Sequence, residues 1–160
     1  MTVQTPRVLL ATSGSAASRR ASAVAADLAS TFDAELVILH VLAPIEYRIG
    51  RLAPTLPITR RLDDPLTNAV LLDARRVAWA RSARTKTILV AGDAARVIVT
   101  VAGELGADLL VIGSNPHRIA STLSARTRRW VHSHAPCPVL PVTPAPPTAS
   151  PPAREPVLVT

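Results

Sequence analysis

Residues 107–142 read ADLLVIGSNPHRIASTLSARTRRWVHSHAPCPVLPV, and this stretch decides the fold. Leu109, Leu110, Val111 and Ile112 form an apolar run of the length expected for a strand buried on both faces. Gly113 ends the run, and Ser114, Asn115, Pro116 and His117 begin a polar loop. Residues 124–133 have helical character, and Pro136-Cys137-Pro138 then leads into a last short strand, Val139–Val142. Strand, loop, helix and strand make one βαβ unit. Its loop leaves the carboxyl end of a buried strand, where open α/β sheets hold their ligands.

The chain before this unit repeats the alternation. Val8, Leu9, Leu10 and Ala11 form a first strand that runs into the turn and helix-start cluster Thr12-Ser13-Gly14-Ser15. Ala17, Ala21, Val24, Ala25 and Leu28 recur at helical spacing, and their small side chains let that helix lie close to a sheet. Glu35–Leu42 is almost continuously apolar, which predicts a strand covered on both sides. Residues 43–63 carry Pro44, Pro54, Pro57, Gly50 and four arginines, and read as a long surface connection. Asp64-Pro65 has the form of a cap and first helical residue. Leu66, Ala69, Val70, Ala74 and Val77 supply the apolar stripe of the helix that follows, and Trp79 falls off the centre of that stripe. Residues 87–91 predict a third strand, and Asp93 caps a strongly amphipathic helix over Ala94–Leu105. Gly106 fits the left-handed position just past its end. Residues 144–160, rich in Pro, Ala, Thr and Ser, read as an extended tail without a core of its own.

Five strands alternating with helices predict an α/β domain, an all-parallel sheet with helices on both faces. The chain of 160 residues is long enough for one such core, and aromatics at 2% leave Val, Leu, Ile and Ala to fill it. No apolar run approaches the ~20 residues that cross a bilayer, and residues 1–7 lack the pattern of a secretory signal. The expectation is a cytoplasmic protein with no membrane partner. One cysteine, Cys137, excludes an internal disulfide and reads as a packing residue between prolines. The formal net charge of +7 admits a polyanion as partner. One Phe and one Tyr are too few to stack exposed bases, which argues against nucleic acid and for a solvated basic surface.

ADLLVIGS followed by HAPCPVLPV resembles the C-terminal signature of the universal stress protein (UspA-like) family. VLLATSGSAAS, LVILHV and GDAARVIVTVAGELGADLLVIGS resemble the rest of its domain, in order, so that the likeness covers residues 6–143. The resemblance implies strand order 3-2-1-4-5 and a Rossmann-like fold. The first and fourth strands then flank the switch point, bringing residues 11–15 beside residues 113–117. It also implies a homodimer through the last strand, where Pro141 removes one ladder donor.

Many members of this family bind ATP through Gly, two residues, Gly, nine residues, Gly and then Ser or Thr. The glycines let backbone N–H groups approach phosphates. Here the first glycine is Gly113 and the second position is Pro116, which has no N–H to give. The third falls on Arg126 counting forward or Ala125 counting back from His134, with Thr127 in the hydroxyl place. The family's acidic residue after the first strand is replaced by Ser13, and Val41 matches the position whose backbone meets adenine. Two readings follow. In one, an anion or nucleotide site survives, with Arg118 or Arg126 supplying charge and His117 a contact. In the other, the fold is kept and the ATP site is degraded, and the donor lost at Pro116 weighs toward it.

Ser13, Gly14 and Ser18 also match the SGGxDS loop of ATP pyrophosphatases, but Ser15 and Ala17 replace its second glycine and aspartate. A serine-capped helix start accounts for them more simply. His132 and His134, two apart on a helix end, point to different faces and offer no metal site. His40 reads as packed and hydrogen-bonded. Arg126, Arg128 and Arg129 with Trp130 form a basic helical patch, read as solvated. The sequence thus points to a non-catalytic domain of stress adaptation with no cofactor and an unidentified small-molecule or protein partner. The alternatives are an ATP-binding member with a modified loop, a binder of anionic polymers, or a nucleotide-cleaving enzyme.

Overall fold

The computed structural model describes residues 5–42, 65–114 and 125–144. Five strands are present: β1 (Arg7–Thr12), β2 (Glu35–Leu42), β3 (Arg84–Ala91), β4 (Leu109–Gly113) and β5 (Val139–Val142). They form one sheet in the order β3-β2-β1-β4-β5, with every pairing parallel. The five-stranded parallel architecture and the 3-2-1-4-5 order expected from the sequence are both present. Four helices connect the strands: α1 (Ala16–Thr31), α2 (Pro65–Trp79), α3 (Ala94–Leu105) and α4 (Ala125–His134).

The helices cover both faces. On one, α1 and α2 bring Ala21, Ala25, Ala26, Ala29, Ala74 and Ala78 against Val8, Leu10, Leu36, Ile38 and Val111. On the other, α3 and α4 bring Ile98, Val101, Ala102 and Val131 against Leu9, Val37, Leu39, Leu110 and Ile112. The alternation of faces along each strand explains why β1, β2 and β4 read as unbroken apolar runs. The alanine face of α1 lets that helix sit unusually close to β4. A Cβ at Gly113 would lie 2.6 Å from the backbone nitrogen of Ser18, so this position admits only glycine.

The helix ends follow the sequence signals. Ser15 caps α1 and accepts from the N–H of Ser18, and Asp93 caps α3 and accepts from the N–H of Arg96 at 3.0 Å. Gly106 closes α3 at φ 58°, the left-handed turn the sequence predicts.

β3 starts three residues before the expected strand, at Arg84 rather than Thr87. Its polar beginning is tolerated because β3 is a sheet edge, where charged side chains reach solvent. There Lys86 Nζ lies 2.7 Å from Glu35, and Arg84 lies 2.9 Å from Asp33. The hydrogen bond from Lys86 holds the Glu35 carboxyl below its ordinary value, against some desolvation and with help from Arg7. Trp79, unplaced by its helical period, is exposed at the end of α2 with the Arg75 guanidinium 4.6 Å from its ring centre.

Candidate functional site

The switch point lies between β1 and β4, which leave the sheet side by side with Ala11 opposite Ile112. Past it come Thr12, Ser13 and Gly14 on one side and Gly113 and Ser114 on the other; of the juxtaposition implied for residues 11–15 and 113–117, residues 115–117 lie outside the described residues. Gly14 turns the chain at φ 76°, and a Cβ there would lie 2.8 Å from Val70 of α2. Both the backbone and the packing require glycine at this turn.

The polar groups of this crevice are committed to one another. Ser13 Oγ lies 3.3 Å from Ser15 Oγ, Ser15 Oγ 3.2 Å from Ser18 Oγ, and Ser18 Oγ 2.8 Å from Ser13 Oγ. Three hydroxyls can close such a triangle with each donating once and accepting once. Ser18 Oγ also accepts from the N–H of Ser13 at 3.1 Å, and Ser15 Oγ from the N–H of Ser18. The ring therefore satisfies its own donors and two backbone N–H groups besides. Nearby, His40 Nδ1 lies 2.8 Å from the carbonyl oxygen of Thr12, the packed, hydrogen-bonded histidine the sequence suggests.

On the β4 side, the N–H of Ser114 donates to the carbonyl of Val142 at 2.8 Å, so it belongs to the sheet. Gly113 carries the backbone of α1, as the fold requires. The contact with α1 is by itself enough to require glycine at this motif position. Val41 lies near the end of β2, half-buried beside Val90. Pro116, His117 and Arg118 lie outside the described residues.

Ala125, Arg126 and Thr127 form the first turn of α4. Arg126 and Thr127 line a cleft of about 300 Å³ together with Asp93, the cap of α3, with Ala95 and Arg96 of that helix, and with Trp130. The sequence flags Arg126, Thr127 and Trp130 but not their conjunction with Asp93 and Arg96. Those two lie some thirty residues away along the chain, and only the packing of α3 against α4 brings them in. Trp130 is stacked on His134 with ring centres 4.1 Å apart and planes at 12°. His134 Nδ1 also lies 2.8 Å from the Trp130 carbonyl oxygen. His132 and His134 are both exposed, and no cluster of metal-ligating side chains occurs among the described residues. Cys137 is half-buried among Ala135, Val139 and the α3 side chains, and burial, with the Asp108 charge, pushes its thiol up.

A doubly wound parallel sheet with a crevice at its β1–β4 switch point defines an α/β domain of the kind that takes ligands at its strand ends. The universal stress protein family model matches residues 5–143, and this chain belongs to that family. A universal stress protein of Thermus aquaticus is 31% identical over 134 residues, covering 83% of this chain and 95% of the relative. Among solved structures, a universal stress protein in complex with cAMP matches with a TM-score of 0.63 at 25% identity, over 86% of this chain and 95% of that one. A member from Burkholderia pseudomallei matches at 27% identity and a TM-score of 0.58, over 87% and 96%. Among the described residues, no helix is long and apolar enough to cross a membrane.

Proposed function

We propose that this chain is a non-catalytic, cytoplasmic binding domain of stress adaptation, homodimeric through β5, whose β1–β4 crevice does not hold ATP. The observation that carries this reading is the serine ring. Ser13 stands where the family places an acid for the nucleotide, and its hydroxyl is turned to Ser15 and Ser18. The N–H of Ser114 is spent on Val142, and Pro116 has none to give. Several missing contacts at ~1 kcal/mol each weaken a complex by two or more orders of magnitude.

The second reading is a nucleotide binder, and one observation favours it: a universal stress protein of known structure, 25% identical, is in complex with cAMP. Calorimetric titration with ATP, AMP and cAMP separates the two, alongside mass spectrometry of any nucleotide released from freshly purified protein. The expected outcome is no co-purified nucleotide and ATP binding far weaker than micromolar. Micromolar ATP affinity or stoichiometric nucleotide overturns the proposal, and turnover of ATP would overturn its non-catalytic part. Light scattering tests the assembly, for which a strict monomer at micromolar concentration is the contrary result.

A further inference from the structure

We propose that the outer edge of β3 takes an extended segment of a partner protein as a sixth strand, with an acidic side chain of that segment held by Arg75. In a parallel ladder, alternate residues of a strand turn their backbone groups to the same side. The N–H of Gly92 donates to the carbonyl of Leu42 at 2.9 Å, so Lys86, Ile88 and Val90 face β2 while Thr85, Thr87 and Leu89 face outward. Among the described residues no strand lies beyond β3, and those outward N–H and C=O groups are a row to which another chain adds. Beside them runs a groove of about 530 Å³, lined by Thr85, Thr87 and Ile88 with Arg75 of α2 and Glu104 of α3. Arg7 and Glu35 also line it, so the groove lies where the strands begin, at the opposite end of the sheet from the serine crevice. What binds here is independent of what the crevice holds.

The charges select the partner. Glu35 holds Lys86 at 2.7 Å with one oxygen and Arg7 at 3.4 Å with the other. Arg75 pairs with no carboxylate among the described residues; its guanidinium lies over the Trp79 ring, and its buried Nε has no acceptor. The ring face attracts the charge, yet a buried donor without an acceptor is costly. A carboxylate offers forked, charge-assisted bonds that meet both needs. Lysine and arginine on an edge strand guard it against copies of itself, which accounts for Arg84 and Lys86. Arg75 comes from α2 and is not accounted for in that way. β3 carries no acidic residue, so two copies pairing edge to edge would bring their cations together, and an acidic segment would not. Side chains alternate across an added strand as they do along β3. Acidic residues beside Thr85 and Thr87 therefore share the α2 side with Arg75, and apolar residues beside Ile88 and Val90 extend the half-buried surface on the α3 side.

The probe is a fluorescein-labelled, C-terminally amidated peptide, Thr-Val-Glu-Val-Glu-Val-Thr, whose anisotropy is followed as the full chain is added. Saturable binding at submillimolar concentration is expected, and a peptide with lysine for both glutamates should bind about tenfold more weakly. Two further probes are methylated at alternate backbone nitrogens, one set on each edge of the peptide. One of them should keep its binding and the other should lose about tenfold, because only one edge of an added strand meets β3. Arg75→Gln should weaken the parent probe by about tenfold, and Arg76→Gln, which removes the same charge from the next residue of α2, should leave it within about twofold. Thr87→Pro removes one outward N–H, leaves the ladder to β2 whole, and should weaken binding by about tenfold. Where Thr87→Pro fails to fold, the methylated probes carry the backbone test. The proposal is overturned by the absence of saturable binding, by equal binding of the lysine peptide, by equal losses in Arg75→Gln and Arg76→Gln, or by equal binding of the two methylated probes. Light scattering that shows self-association abolished by Thr87→Pro would give the edge to a second copy, and that result also overturns it.

Discussion

The serine crevice at β1 and the arginine cleft between α3 and α4 are two polar regions of one domain, and they differ in what their groups lack. In the crevice every hydroxyl of Ser13, Ser15 and Ser18 has a partner inside the ring, and two backbone N–H groups are served as well. In the cleft, Arg96 and Arg126 line the walls without a carboxylate paired to either among the described residues. Polar groups that satisfy one another hold a fold together and ask nothing of a ligand. A cation at the positive end of a helix opposes the helix dipole, and no carboxylate among the described residues pairs with either arginine. The closed serine ring is what supports the proposal that the crevice, a binding site by its place in the topology, serves the fold instead.

The sharpest way to break this comparison is at Gly113. If the crevice is structural, filling the contact between β4 and α1 must damage the fold. Gly113→Ala puts a methyl group 2.6 Å from the Ser18 nitrogen and 2.8 Å from the Ala17 carbonyl carbon, both backbone atoms that cannot swing away. Overpacking of this kind costs about 3 kcal/mol. Gly103→Ala is the internal control, because its new methyl group meets nothing nearer than Pro136 at 3.9 Å. In the last turn of α3 it should stabilise by about 0.5 kcal/mol through helix propensity. Urea melts of the two variants should move in opposite directions. A Gly113→Ala protein as stable as the parent would remove the packing explanation for this glycine.

The second test lies in the ring itself. Ser18 is 1% exposed, and Ser18→Ala deletes the acceptor of the Ser13 N–H together with two of the three hydroxyl contacts. A buried donor left without a partner costs about 2 kcal/mol. Ser15→Ala removes the α1 cap and should cost about 1 kcal/mol. Because both side chains belong to one ring, the double variant should lose less than the sum of the two. Additive losses would show that the three hydroxyls do not act as a unit, and Ser13 would then be available to a ligand.

The comparison also explains what could be read from the sequence. The fold was legible because β1, β2 and β4 are central strands of a parallel sheet, so their apolar runs are uninterrupted. The start of β3 was missed for the converse reason: Arg84, Thr85 and Lys86 sit on an edge, where pairing with β2 does not demand apolar side chains. Caps at Ser15, Asp93 and Gly106 were legible because they depend on neighbours within a few residues. The crevice was half legible. Its members were named by position, but the closure of Ser13, Ser15 and Ser18 on one another is a matter of rotamers that no spacing reveals. The cleft was least legible, since Asp93 and Arg96 meet Arg126 and Trp130 only through helix packing across the β4 crossover.

The smallest effect is the most informative about the cleft. Arg96 is the third residue of α3 and Arg126 the second of α4, and neither first turn contains an acidic side chain. A cation in that position opposes the helix dipole by about 0.3–1 kcal/mol at low salt, less here for Arg96 because Asp93 caps the same helix. Arg96→Gln and Arg126→Gln should therefore raise stability, by about 0.3 and 0.5 kcal/mol. Salt should shrink both gains, since exposed charges are screened over about 10 Å at 0.1 M. Arg76 stands in the last turn of α2, where the dipole favours a cation, so Arg76→Gln should shift stability slightly the other way. Thermal melts at low and high salt read all three. Gains at Arg96 and Arg126 would mark two residues kept at a cost to stability, the pattern expected where a side chain serves binding. If either substitution lowers stability by as much as Arg76→Gln does, that arginine is already satisfied within the fold, and the contrast between crevice and cleft fails at that residue.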